Sequence, residues 1–285
     1  MNKTLAIFEL MRLDKPIGIY LLLWPALLAL VISSNGNFEY VDLIIVIIGS
    51  ILVRSAGCVI NDIWDKDLDG GVERTKTRPI PSKKLSISES WVVFAVLSIL
   101  SLMLLSLTNA NTILISICFG LMIVVYPLTK RFFIGPQIFL GLTFNPTIIV
   151  YAMTNELNNP TMIFLYLAIA AKIIAFDSFY GLCDMEDDKK LGINSTPLWW
   201  GSKTLLIIAI LQFAVISFLM VVGLKAELSF AWYIGIILLS GFYFYQHQLA
   251  SQKNFLLAFK NNHWASLYLL TLSVFCFLLI YFHVI

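Results

Sequence analysis

The sequence predicts an all-α integral membrane protein with about nine helices crossing a bilayer and its N-terminus on the cytoplasmic side. Three observations carry this. Hydrophobic residues make up 59% of the 285 and charged residues only 13%, about half the charge of an ordinary soluble domain. Apolar runs close to the ~20 residues needed for one helical crossing recur along the chain. Of the 19 lysines and arginines, 16 fall in segments on one side of that layout and only Lys225 on the other, with Arg54 and Lys172 inside spans. That is the positive-inside pattern.

Residues 1–15 set Lys3, Glu9, Arg12, Asp14 and Lys15 among Leu5, Ile7, Phe8, Leu10, Met11 and Leu13, the make-up of an amphipathic helix lying at the interface. Spans follow at 16–33, 41–61, 88–107, 112–129, 136–153, 160–180, 203–223, 228–246 and 264–284. Segments 62–88 and 181–202 are read as cytoplasmic cap loops, and 1–285 as a single membrane-embedded domain. The net charge of +2 argues against a nucleic-acid partner, and no obligate protein partner is evident. Cys58, Cys118, Cys183 and Cys276 lie in largely apolar surroundings without a CxxC pair, so neither a disulfide framework nor a zinc site is expected.

Two acidic clusters stand out at the cytoplasmic ends of spans. In RSAGCVINDIWDKDLD (54–69), Arg54, Asn61, Asp65 and Asp69 share one face if the helix runs that far, with Asp62 beside them. In DSFYGLCDMEDD (177–188), Asp177, Tyr180, Asp184 and Asp188 form a similar stripe. The shared spacing suggests a duplicated four-helix unit followed by a ninth helix. Solvated surface suffices for Asp67, Glu73, Glu89 and Glu186. It does not suffice for the stripes, because carboxylates in or beside a span are tolerated best against a polar cavity and repel one another unless a cation sits between them. Carboxylates converging with an amide oxygen suit Mg²⁺, which is commonly held by one or two carboxylates together with substrate phosphates. Cations at the same face, Arg74, Arg78, Lys130, Arg131, Lys189 and Lys190, would clamp a diphosphate.

These residues carry a resemblance. RLDKPIG (12–18), LLLWP (21–25), the 54–69 stretch, VERTKTRP (72–79), YPLTKR (126–131), PQIFLGL (136–142), the 177–188 stretch and GINST (192–196) make the chain similar to the UbiA superfamily of intramembrane prenyltransferases, most closely its 4-hydroxybenzoate polyprenyltransferase branch. The aspartates look like that family's NDxxDxxxD and DxxxD motifs. The resemblance implies nine helices around a central cavity open to the cytoplasm and laterally to lipid, in a bacterial inner membrane. It also implies a Mg²⁺-dependent reaction in ubiquinone biosynthesis. A polyprenyl diphosphate loses diphosphate, and its allylic carbon bonds the ring carbon of a small aromatic acid, 4-hydroxybenzoate, ortho to the hydroxyl.

In this expectation Asp65 and Asp69, with Asn61 or Asp62, hold one Mg²⁺, and Asp184 and Asp188 another. Arg131, Lys130, Arg74 and Arg78 stabilise the leaving diphosphate. Asp177 or Asp187 activates the phenol and Tyr180 orients it; Arg12, Lys15 or Arg54 pairs with the acceptor carboxylate. The chain departs from the family at Asn194, where a lysine is usual, and at Lys172, where an aromatic is usual. Lys172 is taken as a residue that tunes substrate, although it points about 120° around the helix from Asp184. Competing readings are a UbiA-type enzyme for another aromatic acceptor and an ion-coupled secondary transporter. A CDP-alcohol phosphotransferase would need a DGxxAR signature, where the chain has DGGVER (69–74).

Overall fold

The structure, a computed structural model, describes residues 3–71 and 74–282; Glu73 and the last two residues of the ninth expected span lie outside them. Among the described residues there is no strand. The chain forms α1 (Lys3–Leu10), α2 (Ile17–Ser33), α3 (Tyr40–Trp64), α4 (Ile87–Leu105), α5 (Ala110–Thr129), α6 (Pro136–Thr143), α7 (Thr147–Met153), α8 (Thr161–Leu191), α9 (Thr196–Trp200), α10 (Thr204–Lys225), α11 (Phe230–Ser251) and α12 (Phe255–Tyr281). By length and composition, six helical stretches among the described residues are apolar enough to cross a membrane; α3, α4, α5, α8 and α12 are five, and 196–225, which contains α10, is the sixth.

α8 is the centre of the bundle. It packs on α10, α6, α12, α7 and α2, and 61% of its most apolar stretch is buried, against 11% for α4 and 17% for α5. The core on its far side includes Trp232, fully buried, whose Nε1 donates to the Leu219 carbonyl at 2.9 Å. α1 lays Ala6 and Leu10 against Val59 and Ile63 of α3, leaving Leu5 and Phe8 exposed, as a short interfacial helix does.

Local chemistry sets the helix ends. Ser86 and Glu89 form a reciprocal capping box at the start of α4, and the Asn109 side chain accepts from Thr112 N at 2.9 Å to start α5. Gly192 ends α8 in the left-handed conformation at φ 66, where a side chain would be strained.

Four sequence expectations need correction. The span read at 136–153 is broken into α6 and α7: Pro146 is disfavoured inside a helix, and Asn145 accepts from the freed Thr147 N at 3.2 Å while its Nδ2 ties the break to α8 by donating to Tyr166 O at 2.8 Å. α3 stops at Trp64, so Asp69 does not continue its stripe and lies instead in a 3-10 turn, Asp69–Gly71. The cap segment read at 181–202 is mostly helix, because α8 runs to Leu191 and α9 follows. α12 begins at Phe255, nine residues before the expected 264, so Lys260 sits on its second turn rather than in a loop. In the last two cases a hydropathy window registers only the lipid-facing length, while polar residues carry the same helix on into the interface.

Candidate active site

The first aspartate cluster is built by the end of α3 and the turn after it. Asp65 caps α3, its N–H donating to Asn61 O at 2.9 Å, and Asp69 N donates back to Asp65 O at 2.8 Å. That turn returns Asp69 to the cluster without a continuous helix. Asp62, Asp65 and Asp69 are only 1%, 2% and 5% exposed, which excludes a solvated acidic surface.

Each buried carboxylate has a cation. Arg12 Nη2 donates to both oxygens of Asp62 at 2.8 and 2.7 Å. Arg78 Nη1 bridges Asp62 at 3.1 Å and Asp69 at 2.8 Å. Lys130 Nζ meets Asp65 Oδ2 at 2.6 Å, and Asn61 Nδ2 donates to the same oxygen at 3.2 Å. Asp65 Oδ1 is buried with no hydrogen-bond partner. Burial pushes the Asp65 carboxyl above the usual carboxylate range, and the Lys130 ammonium opposes only part of that.

The second cluster lies on the cytoplasmic extension of α8. Arg74 forks onto Asp184, with Nε to Oδ1 at 3.0 Å and Nη2 to Oδ2, and its guanidinium lies 4.6 Å from the Tyr180 ring centroid. The loop after α8 is tied to the end of α5 by Asn194 N donating to Lys130 O at 2.8 Å. The two clusters therefore meet around Lys130, whose charge acts on both Asp65 and Asp188. Asn194 serves here through its backbone.

Other expected site residues separate. Arg131 Nη2 donates to Trp64 O at 2.6 Å, locking the end of α3 to α5; Lys15 is exposed; Asp187 is held by Lys190 at 3.2 Å. Arg54 stacks on Phe144, 4.9 Å from the ring centroid. Its guanidinium occupies the space beside Gly18, where an added Cβ would come within 2.5 Å of Nε, and it attracts Asp177. Arg54 Nε is buried without a partner. Asp67 and Glu186 are exposed as expected, whereas Glu89 caps α4 and pairs with Lys3.

Sequence inspection missed the pairing of Arg12 with Asp62, fifty positions apart. It also missed Phe144 beside Arg54, signalled only by the Asn145–Pro146 break, and Gln137, whose Oε1 accepts from Thr196 N at 2.8 Å and holds the start of α9. Among the described residues no three carboxylate, thiol or imidazole groups converge on one point. The donors are instead carboxylate oxygens held by exchangeable cations, with one oxygen of Asp65 open. That set suits a hard divalent ion that takes few protein ligands.

Residues 22–267 match the model of the UbiA prenyltransferase family. A 4-hydroxybenzoate octaprenyltransferase of Pseudomonas aeruginosa (strain LESB58) is 39% identical over 265 residues, covering 91% of this chain and 89% of the relative. The chain belongs to the UbiA prenyltransferase family. A second relative, from Shewanella loihica and of the same name, is 36% identical over 94% of this chain and 95% of its own. Solved UbiA structures share the fold. A UbiA homologue of Aeropyrum pernix superposes with a TM-score of 0.78 at 20% identity, covering 88% of this chain and 94% of that one. One of Archaeoglobus fulgidus, bound to GPP and Mg²⁺, gives 0.71 at 17% identity over 93% and 99%. The all-helical membrane architecture inferred from composition is thus that of UbiA proteins, and as a prenyltransferase the chain is an enzyme rather than a transporter.

Proposed function

We propose that this UbiA protein transfers a polyprenyl group from polyprenyl diphosphate to 4-hydroxybenzoate, at the ring carbon ortho to the hydroxyl, with release of diphosphate, in ubiquinone biosynthesis. The relatives named for that acceptor support it. The observation that carries the chemistry is the interleaving of five buried or half-buried aspartates, Asp62, Asp65, Asp69, Asp184 and Asp188, with Arg74, Arg78 and Lys130.

Each of those cations is held by a carboxylate and can exchange onto a phosphate oxygen, with guanidinium forks matching two oxygens at once. The carboxylates they release, Asp65 and Asp69 with Asn61 or Asp62, and Asp184 with Asp188, are then free to hold Mg²⁺. When bound, Mg²⁺ supplies positive charge to the leaving diphosphate. Arg74, Arg78 and Lys130 stabilise the same developing charge from fixed positions. Arg54, with its unpartnered Nε, takes the acceptor carboxylate. Asp177 beside it takes the phenol proton and returns it to the oxygen once the carbon–carbon bond has formed, while the ring proton displaced from the alkylated carbon passes to solvent and aromaticity is restored; Asp187 is the weaker choice because Lys190 already holds it. Tyr180, under the Arg74 guanidinium, orients the ring.

The proposed topology has the N-terminus and the site at the cytoplasmic face of a bacterial inner membrane and one domain over 1–285. The nine crossings are α2, α3, α4, α5, the broken α6–α7 pair, α8, α10, α11 and α12. The lysine and arginine distribution supports it. Incubating the purified protein with 4-hydroxybenzoate and octaprenyl diphosphate, with and without Mg²⁺, tests the activity. A product of the prenylated mass in the Mg²⁺ arm is expected; no product with this acceptor, and turnover of another aromatic acid, would transfer the assignment to that acid.

A further inference from the structure

The Arg54 guanidinium is held by two groups from other helices. Phe144, which closes α6 at the Asn145–Pro146 break, presents its ring 4.9 Å from the guanidinium carbon. Gly18, in the first turn of α2, stands at another side. A Cβ on Gly18 would lie 2.5 Å from Arg54 Nε, 2.7 Å from Nη2 and 3.0 Å from Cζ. Those distances put the point in the guanidinium plane, facing the Nε–Nη2 edge. A point above the plane, midway between the two nitrogens, would lie closer to Cζ than to either of them.

The edges of the guanidinium are therefore unequal. Nε is shut against α2, buried and without a hydrogen-bond partner, whereas neither terminal nitrogen is both buried and unpartnered. Asp177 feels the charge of Arg54, yet among the described residues no ion pair or hydrogen bond engages the terminal nitrogens. The Nη1–Nη2 edge is left as two parallel donors, the fork that a planar carboxylate takes. Because Gly18 and Phe144 hold that fork before a ligand arrives, less side-chain freedom is lost on binding.

We propose that Gly18 is a positioning residue for the acceptor: its missing side chain provides the seat that fixes Arg54, and the seated fork selects an aromatic acid over a neutral aromatic acceptor. This rests on the prenyl-transfer reading above and on its assignment of Arg54 to the acceptor carboxylate. Gly18 lies in an α-helix without a positive φ, so its backbone suits alanine, the better helix former. The three nearest atoms that a Cβ would meet all belong to the far end of Arg54. The helix therefore accepts alanine, and the guanidinium is what moves. To reach ordinary contact at 3.4 Å from a starting 2.5 Å it retreats by about 1 Å, and a misplacement of that size can cost about 10²-fold.

Gly18→Ala is expected to raise KM for 4-hydroxybenzoate at least tenfold while KM for octaprenyl diphosphate stays within about twofold and the melting temperature does not fall. Turnover of methyl 4-hydroxybenzoate, which has no carboxylate charge, stays within about twofold, so the preference for acid over ester drops about tenfold. Equal losses for acid and ester would mean a general change in packing and overturn the proposal, as would an unchanged KM for the acid. In an Arg54→Ala background, adding Gly18→Ala shifts neither acceptor by more than about twofold, because the group it acts through is gone; a further tenfold loss there overturns the proposal. A second measurement is independent of catalysis. Calorimetric titration of the purified protein with 4-hydroxybenzoate gives a Kd at least tenfold weaker in Gly18→Ala than in the native chain. Equal Kd values overturn the seat, whereas weaker binding in the variant, with no prenylated product from the native protein, retains the seat and sinks the reaction.

Discussion

Lys130 donates to one oxygen of Asp65 at 2.6 Å, while the other oxygen of the same carboxylate is buried and has no partner. A half-satisfied buried carboxylate costs stability, and a ligand that fills the open position recovers it. This is the pair on which the proposed mechanism relies for exchange, the ammonium leaving for a phosphate and the carboxylate taking a metal. Asp65→Asn keeps the shape but removes the charge, and is expected to lower kcat at least 10³-fold while leaving the protein folded. Lys130→Met removes one donor to the leaving group, for which a loss of about 10²–10³-fold in kcat is expected. Steady-state turnover with matched amounts of folded protein checks both; Lys130→Met at native rate would end the exchange model.

Arg74 makes the corresponding contact in the second cluster, forked on Asp184 and stacked over Tyr180. A lysine in its place keeps the charge but loses both the fork and the planar stack. Arg74→Lys is expected to raise KM for the prenyl diphosphate about tenfold with a smaller change in kcat, and Arg74→Ala to reduce kcat/KM about 100-fold. A change confined to KM for 4-hydroxybenzoate would instead assign Arg74 to the acceptor.

Much of this site was legible in the chain, for a physical reason. Asp65 and Asp184 announce themselves because carboxylates beside an apolar run of span length need a compensating environment, and both occur within a turn of the hydropathy boundary. The partners were less legible. Arg12 and Asp62, or Arg74 and Asp184 110 positions apart, are joined by tertiary packing that periodicity does not encode. The same limit explains the spans: 136–153 is apolar throughout, so counting residues gave one crossing, while Asn145 and Pro146 divide the helix by hydrogen-bond chemistry. α8 ran past its expected end because Asp184 and Asp188 are polar side chains on a helix that the hydropathy window could not follow into the interface.

Metal dependence separates the two roles assigned to the aspartates. Removal of divalent ions by EDTA is expected to stop prenyl transfer, and excess Mg²⁺ to restore it. Thermal stability of the substrate-free protein should change little, since Arg12, Arg78, Lys130 and Arg74 already neutralise the carboxylates. A large loss of melting temperature with EDTA alone would mean that the ion is structural.

Gln246 is a buried tie between helices. Its Oε1 accepts from Gln212 Nε2 at 2.8 Å, its Nε2 donates to Asn261 Oδ1 at 3.0 Å, and His247 meets Gln212 Oε1 at 2.9 Å. The network joins α10, α11 and α12. Gln246→Leu strands one donor and one acceptor, and interhelical hydrogen bonds in membranes are worth about 0.6–1.7 kcal/mol each. A fall of about 2–6 °C in melting temperature is expected, with turnover per folded molecule unchanged. Altered KM at native stability would contradict a purely structural tie.

Lys172, read from the sequence as tuning substrate, is 2% exposed and turns toward α12, donating to Ser266 Oγ at 2.6 Å and Asn262 O at 3.3 Å. It lies twelve residues before Asp184 on α8, about 18 Å along the axis. Neither partner belongs to the proposed diphosphate site, so its effect falls on the α8–α12 contact. A buried ammonium within a span costs about 2.5–3.5 kcal/mol on insertion scales, and two hydrogen bonds offset only part of this. Methionine has a similar reach without the charge, and Ser266 can turn its hydroxyl to its own helix. Lys172→Met is therefore expected to keep kcat and both KM values within twofold and to hold or raise the melting temperature. A tenfold or larger rise in KM for either substrate would return Lys172 to the substrate-tuning role that its place in the sequence suggested.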